Sequence, residues 1–481
     1  MSKNILIFSD GTGQAGGVRP DQHLSNVYKL YRASRTGCDS PINPADQVAF
    51  YDAGLGTDDD AGQLLLGAVK YLRKLLASAT GRGITKNIAE CYTAILNSYE
   101  PGDRIYLFGF SRGAYTARCV AGVLALCGVP TQGRDGNPLR RYGSETRSVA
   151  DEAVRRVYEH GAGKAAGKYD DERNELARRF REKYASDSNG EPNVEPYFIG
   201  VFDTVASLGA TGAVRFGIWA SLIGGALVLC GLGALILNWL LDWRFLTNLI
   251  GLAGLGAAWF LMSSIKSTFK LIRNFPRKGD IHWHIAKWNM KNYDRRLSSA
   301  VQFVRHALAI DETRMHFPRV QWGFKNAARE KVDGEPEWFQ QIWFAGNHSD
   351  IGGSYAEEES RLSDIALKWM LDEAMSLSHP LIIDSARLNP FPDPRGMQHC
   401  EVESRRESYP GWWPSAWRMS WPEKSRTEVL GAPLHQSVFE RFGLGTVYQS
   451  GRLAPYRPAT LQDDDRFAAF YFDADRPDAL S

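Results

Sequence analysis

Short, almost continuous apolar runs alternate along this chain with segments whose apolar residues recur at helical spacing. Five runs stand out: Ile5 to Phe8, Val48 to Tyr51, Ile105 to Phe108, Tyr197 to Phe202, and Ile342 to Phe344. Four of them lead into polar turns that contain glycine, SDGTG, DAGLGT, GFSRGA and AGNHSDIGG. Runs of this length suit strands buried on both faces of a parallel sheet. Between them, Ile84, Ile88, Cys91, Tyr92 and Ile95 mark one helix, and Leu362, Ile365, Ala366, Trp369 and Met370 another. The alternation predicts an α/β fold with a mostly parallel sheet flanked by helices. Ligands then bind beyond the carboxyl ends of the strands, where the polar turns fall.

Two stretches break the alternation. Residues 131–193 are polar, with surface helices expected around Glu145 to Tyr158 and Asp171 to Tyr184; they read as a cap or as a solvated insertion. Phe216 to Leu241 is 26 residues without a charge and Phe245 to Ile265 another 21, separated by Asp242, Trp243 and Arg244. Each is long enough to cross a hydrocarbon core about 30 Å thick. Beyond about residue 380 the chain is rich in Pro and Trp, including Trp412, Trp413, Trp417 and Trp421. The expected organisation is a first α/β part over 1–215 and a hydrophobic helical hairpin over 216–265. A second α/β part follows over 266–380, and then a Pro/Trp-rich region over 381–481.

Composition narrows the partners. With 44% hydrophobic and 23% charged residues and a net charge of +2, neither disorder nor nucleic-acid binding is expected. The six cysteines are scattered without a CxxC pair, which suits reduced thiols used as small apolar residues. The first residues, MSKNILIFSDGTG, lack the apolar core of a secretory signal, so a cytoplasmic start is expected.

The chemistry centres on Gly109-Phe110-Ser111-Arg112-Gly113. A GxSxG match alone is weak, but here a strand leads in and a helix leads out to Gly128. In such an elbow the turn strains the Ser backbone and lifts its hydroxyl clear of the sheet, while glycines permit the close approaches. A serine needs a base, and the base needs an acid to orient it. Asp203 ends one predicted strand and His348 follows another, in the chain order Ser, Asp, His expected for this fold. His306, His282 and His284 are the rival bases, and Asp350 is the alternative acid. The Arg112 N–H and that of Gly11 or Thr12 are the expected oxyanion donors. No metal or organic cofactor is required. DGTG lacks the Lys of a phosphate-cradling loop, and Asp58-Asp59-Asp60 lacks the ligand spacing of a calcium loop.

ILIFSDGTGQ, SNVYKLYR, YDAGLGT, GFSRGAYTARCVAGVL, FIGVFDTVASLG, HALAIDETR and WFAGNHSDIGGSY, in this order, resemble a family of α/β-hydrolase domains formerly of unknown function, related to phospholipase effectors of type VI secretion. The resemblance covers roughly residues 3–375 apart from the two interruptions. It implies a triad carried over onto Ser111, Asp203 and His348, cleavage of acyl esters in phospholipids, and a cognate immunity or secretion-apparatus protein as partner. In place of a large C-terminal membrane-docking region, this chain has its hydrophobic pair.

That pair constrains topology. Ser111 and Asp203 precede it and His348 follows it, so the three meet only if the chain crosses a bilayer an even number of times. A hairpin turning between Asn238 and Asn248 satisfies this. Arg215 before it and Lys266, Lys270, Arg273, Arg277 and Lys278 after it place both ends in the cytoplasm. The expected location is the inner membrane with the catalytic domain on the cytoplasmic side; delivery into a target cell's periplasm is the alternative. A soluble ester or thioester substrate, or a non-catalytic membrane scaffold, are the competing functions.

Overall fold

The central strands end in register, and that register decides which turns become neighbours. The computed structural model describes residues 2–11, 13–14, 16–17, 23–54, 82–205, 212–241, 244–288, 294–324, 334–410, 412–413 and 420–472. Six strands, β1 (Asn4–Ser9), β2 (Gln47–Asp52), β3 (Arg104–Phe110), β4 (Phe198–Phe202), β5 (Phe303–Ala309) and β6 (Phe339–Phe344), form one sheet in the order β6-β5-β4-β3-β1-β2. All neighbours run parallel. Phe110 lies opposite Phe202, Phe202 opposite Ala307, and Ser9 opposite both Asp52 and Gly109. The residues that follow these positions are therefore gathered along one edge of the sheet.

The described helices used below are α1 (Asn26–Ser34), α2 (Arg82–Ser98), α3 (Arg112–Cys127), α4 (Ser144–Glu152), α5 (Asp170–Tyr184), α6 (Gly212–Leu241), α7 (Phe245–Thr268), α8 (His348–Gly352) and α9 (Arg361–Met375). Alternate strand residues point to opposite faces. Ile5, Ile7, Ile105, Leu107, Ile199 and Val201 pack against α2 and α3. Leu6, Phe8, Tyr106, Phe108, Phe198 and Phe202 pack against α1 and α9. With both faces covered, the strands read as continuous apolar runs, as the sequence pattern implied.

All five predicted strands form. The sequence reading missed β5, because Arg305 and His306 interrupt its apolar run. Both side chains are fully buried. Arg305 is neutralised by Glu373 and donates to the Val304 and Glu337 carbonyls. Buried charge survives only when paired and hydrogen-bonded, and the partners lie 32 or more residues away in sequence apart from Val304.

The polar segment 131–193 is packed rather than free. Val149, Ala150, Val154, Val157, Phe180 and Tyr184 join the core built on α2 and α3. Cys91, Cys119 and Cys127 are buried in the same core as free thiols. The C-terminal region covers the other end of the sheet, where Val429, Val438, Phe442, Tyr456 and Phe467 close a third core over Leu308, Ile310 and Trp343.

Helices α6 and α7 lie side by side but bury little in the protein. Only 11% and 6% of their most apolar stretches are buried, so among the described residues these two helices are not covered by the rest of the chain. Directly after α7, strands Phe269–Arg273 and Ile281–Ile285 pair antiparallel.

Candidate active site

The expected elbow is visible in the backbone. Ser111 sits between β3 and α3 at φ 58°, ψ −121°, a region that a side-chain-bearing residue occupies only under strain. A Cβ on Gly109 would lie 2.6 Å from the Gly113 carbonyl oxygen, and one on Gly113 would lie 2.0 Å from that of Ser9. The elbow is thus wedged against the carboxyl end of β1. Gly113→Ala sets a gain in helix propensity of about 1 kcal/mol against a backbone collision that nothing flexible can relieve. We expect the collision to prevail, with more than about 3 kcal/mol lost in chemical denaturation; an equally stable variant would show that β1 is free to move.

Asp203 follows β4 directly, also at positive φ (34°), and is fully buried. Its Oδ2 lies 2.5 Å from His348 Nδ1. Its Oδ1 accepts from the Ala309 N–H (3.2 Å) and from Arg426 Nη1 (2.6 Å), while Arg426 Nη2 reaches Oδ2 at 3.1 Å. Burial alone would push this carboxyl up. The Arg426 guanidinium and the His348 hydrogen bond together hold it far below the usual carboxylate range. It is therefore an anion at any working pH.

His348 opens the short helix α8 after β6. Asn347 caps that helix by accepting from the Ser349 and Asp350 N–H groups, and Asp350 returns a bond from the Asn347 N–H. This reciprocal cap sets the direction of the His348 side chain. Its ring stacks on Phe110, the residue before Ser111, at 4.7 Å between centroids, and meets Phe317 edge-on at 5.2 Å. With Nδ1 on Asp203, the other nitrogen, Nε2, is buried and makes no hydrogen bond among the described residues, with Ser111 Oγ or any other group.

The remaining candidates are placed elsewhere. Asp350 accepts from the His399 ring (2.7 Å) and backbone (3.1 Å) and from Asn347, so the structure assigns it to loop order rather than to the His348 ring. His306 Nδ1 accepts from the Trp322 indole N–H (3.1 Å), and its Nε2 lies against Thr204 Oγ1 (3.2 Å). His282 and His284 sit on the strand pair after α7, facing Glu172. Gly11 lies beside Ser111, since a Cβ there would be 3.4 Å from Ser111 Cβ. Its N–H, expected at the oxyanion position, instead donates to Asp10 Oδ1 at 2.7 Å. Asp10 is buried, bonded also by Ser25 and Tyr51, and pushed up to about 6 by its burial. Thr12 and Asp58-Asp59-Asp60 lie outside the described residues.

Sequence reasoning missed Arg426 and Glu312. Glu312 Oε2 accepts from the His348 N–H (3.3 Å), and Glu312 grips Arg314 through three further bonds. Neither residue belongs to a motif with a mechanical reading, and Arg426 is 223 positions from its carboxylate. Of the tryptophans, Trp421 packs edge-on against Phe317 and lies under Arg405, whereas Trp412 is exposed.

A doubly covered parallel sheet with this strand–elbow–helix unit makes the chain an α/β-hydrolase-like protein. It belongs, more particularly, to the family described as type VI secretion system (T6SS) phospholipase effector Tle1-like, catalytic domain, whose model matches residues 3–224 and 260–373. The polar 131–193 segment, read from sequence as an interruption of the resemblance, lies inside the matched range; most of the hydrophobic pair lies outside it. An uncharacterized protein of Saccharomyces cerevisiae is 29% identical over 218 residues, 43% of this chain and 27% of that protein. A crystal structure of an uncharacterized Pseudomonas aeruginosa protein aligns at 17% identity and TM-score 0.33, covering 81% of this chain and 49% of that one. The structure of the Tle1 effector bound to the VgrG spike aligns at 17% identity and TM-score 0.26, covering 75% and 53%. This chain thus spans about a quarter of its curated relative and about half of these solved chains.

Proposed function

We propose that this chain is a membrane-bound serine hydrolase that cleaves acyl esters of phospholipids with a Ser111-His348-Asp203 triad. The observation that carries the reading is the His348 ring: Nδ1 is fixed on an ionised, buried carboxylate, and Nε2, beside the elbow, has no hydrogen-bond partner among the described residues. In this state Ser111 Oγ is not hydrogen-bonded to Nε2, and catalytic hydrogen bonds of unliganded enzymes often tighten only when substrate binds. Ser111 Oγ attacks the ester carbonyl as Nε2 takes its proton. Asp203 stabilises the imidazolium, which then protonates the leaving alcohol; water reverses the sequence to free the acyl group. The Arg112 N–H, at the first position of α3, is the oxyanion donor that this geometry favours. Arg426 acts through Asp203 as a positioning residue.

The membrane part rests on α6, α7 and the strand pair after them. Phe269, Leu271, Ile281, Trp283 and Ile285 project from one face of that pair and are exposed, while Lys270, Ile272 and His284 are buried on the other. This strand pair follows α7 directly in the chain, and Lys266, Arg273, Arg277 and Lys278 are exposed, as suits an anionic bilayer surface. Lys270, counted among the flanking cations in the sequence reading, faces inward. An even number of crossings keeps the three side chains on one side. The family's effectors make a secretion-apparatus protein and a cognate immunity protein the natural partners.

The deciding assay compares phospholipid vesicles with a soluble short-chain ester, with lipid mass spectrometry as readout. Release of fatty acid and lysolipid, with a steep gain at the vesicle surface, is expected. Turnover of the soluble ester alone would replace phospholipid by a soluble substrate. Absence of both turnover and fluorophosphonate labelling would leave a non-catalytic scaffold.

A further inference from the structure

The strand pair after α7 carries His282-Trp283-His284, and its buried face meets the 131–193 layer. There His160, Glu172 and His284 converge, with one donor atom from each lying within 4.8 Å of the others. His160 Nε2 is 2.7 Å from Glu172 Oε2, and His284 Nδ1 is 3.9 Å from that same oxygen. His282 Nδ1 stands 3.2 Å from Oε1. His160 is 1% exposed and His284 7%.

The tautomer of His284 is decided by its surroundings. Its Nε2 lies 2.7 Å from the His160 carbonyl oxygen, which only accepts, so the proton sits on Nε2. In the neutral ring Nδ1 then presents a bare lone pair. That atom is buried without a hydrogen-bond partner among the described residues, and it faces a carboxylate oxygen, another lone-pair atom. Two acceptors confronting each other in a buried site repel unless a cation lies between them. Tyr169 stacks on the ring at 3.7 Å between centroids and 11° between planes, fixing its orientation. A histidine with one nitrogen tied to a carbonyl and the other free toward a carboxylate has the arrangement that metal-ligating histidines show.

We propose that His160 Nε2, His284 Nδ1 and a Glu172 oxygen bind one divalent transition-metal ion, with Zn²⁺ the first choice for two imidazoles and a carboxylate. Ligands about 2.0–2.1 Å from a tetrahedral ion stand about 3.4 Å apart. A small pivot of the Glu172 carboxylate, lengthening its contact to His160 and shortening that to His284, accommodates the ion. His282 steadies the second carboxylate oxygen from the rim. Lys270 and Lys164 are the cations whose fields oppose binding. Lys270 is countered by Glu159 at 3.5 Å and donates to the Arg155 carbonyl. The ion would fasten the stretch from His160 to Glu172 to the strand that follows the apolar helices. It shares no residue with the Ser111 site.

The test uses the full-length, tag-free chain in detergent, stripped with a chelator and titrated with Zn²⁺ against a chromophoric competitor. One equivalent is expected to bind at micromolar affinity or tighter, and Co²⁺ to give the visible spectrum of a tetrahedral site without thiolate bands. Glu172→Gln and His284→Ala should each weaken Zn²⁺ at least about 10-fold, with near-UV circular dichroism unchanged; Ser111→Ala should bind as wild type. No saturable equivalent in the wild-type chain overturns the proposal whether or not the variants fold, as does unaltered affinity in both folded variants. None of these readouts depends on ester hydrolysis, so failure here leaves the triad standing.

Discussion

Ser111→Ala is expected to abolish ester turnover, with kcat falling by about 10⁴- to 10⁶-fold, while stability changes by less than about 1 kcal/mol. The two effects separate because of how the elbow is built. Its strain lies in the backbone at φ 58° and is shared by any residue with a Cβ, and the Ser111 side chain caps no helical N–H. Removing the hydroxyl should therefore cost the fold little and cost the chemistry the nucleophile proposed for it. Kinetics on vesicles together with denaturant unfolding check both halves. Turnover retained in the pure variant would exclude Ser111 and, with it, the proposed mechanism.

The second large effect concerns Arg426, which no motif announces. Arg426→Met leaves Asp203 buried without its cation, and removal of one partner from a buried pair typically costs about 3–5 kcal/mol. The pH dependence has a definite sign. In the wild type the Asp203 pKa is depressed, so its contribution to stability is present at neutral pH and is lost as pH falls below about 4, the ordinary Asp value. In the variant burial is no longer opposed by Arg426, and the carboxyl titrates higher. Its penalty is then largest at high pH and shrinks as the pH falls and the group is neutralised. The stability difference from wild type should accordingly be greater at pH 8 than at pH 5. Turnover should fall roughly 10-fold or more, since the imidazolium loses a fixed anion at neutral pH. Adding Asp203→Asn should restore much of the stability, because both buried charges are then gone, but not the activity. The Asn amide supports the wrong His348 tautomer, a defect of about 10⁴-fold where a Ser-His-Asp triad acts. Equal stability of Arg426→Met and wild type at both pH values would contradict the account.

The two predictions differ in where their information lies. Ser111 is legible because an elbow is a local object: a strand, two glycines and a helix within a few residues leave few conformations. Asp203 and His348 are legible at one remove, since residues following buried strands must fall at the sheet's carboxyl edge. Their pairing, the stacking of Phe110 on His348 and the diversion of the Gly11 N–H to Asp10 are matters of tertiary packing. The cap formed by Asn347 and Asp350 explains why two acids near His348 take different roles. One is bound up in ordering its own loop, and the other arrives from β4.

What the amino-acid sequence determined by itself was the class of fold, five of the six central strands, the elbow and the presence of two long apolar helices. These follow from periodicity and from glycine's lack of a Cβ, which act over a handful of neighbouring residues. Only the tertiary structure decided that β5 completes the sheet, that residues 131–193 are a packed layer, and that Arg426 sets the charge of Asp203. It also decided that His160, Glu172 and His284 converge. Each depends on burial of a side chain, apolar or charged, against partners distant in sequence, and burial is a property of the folded whole.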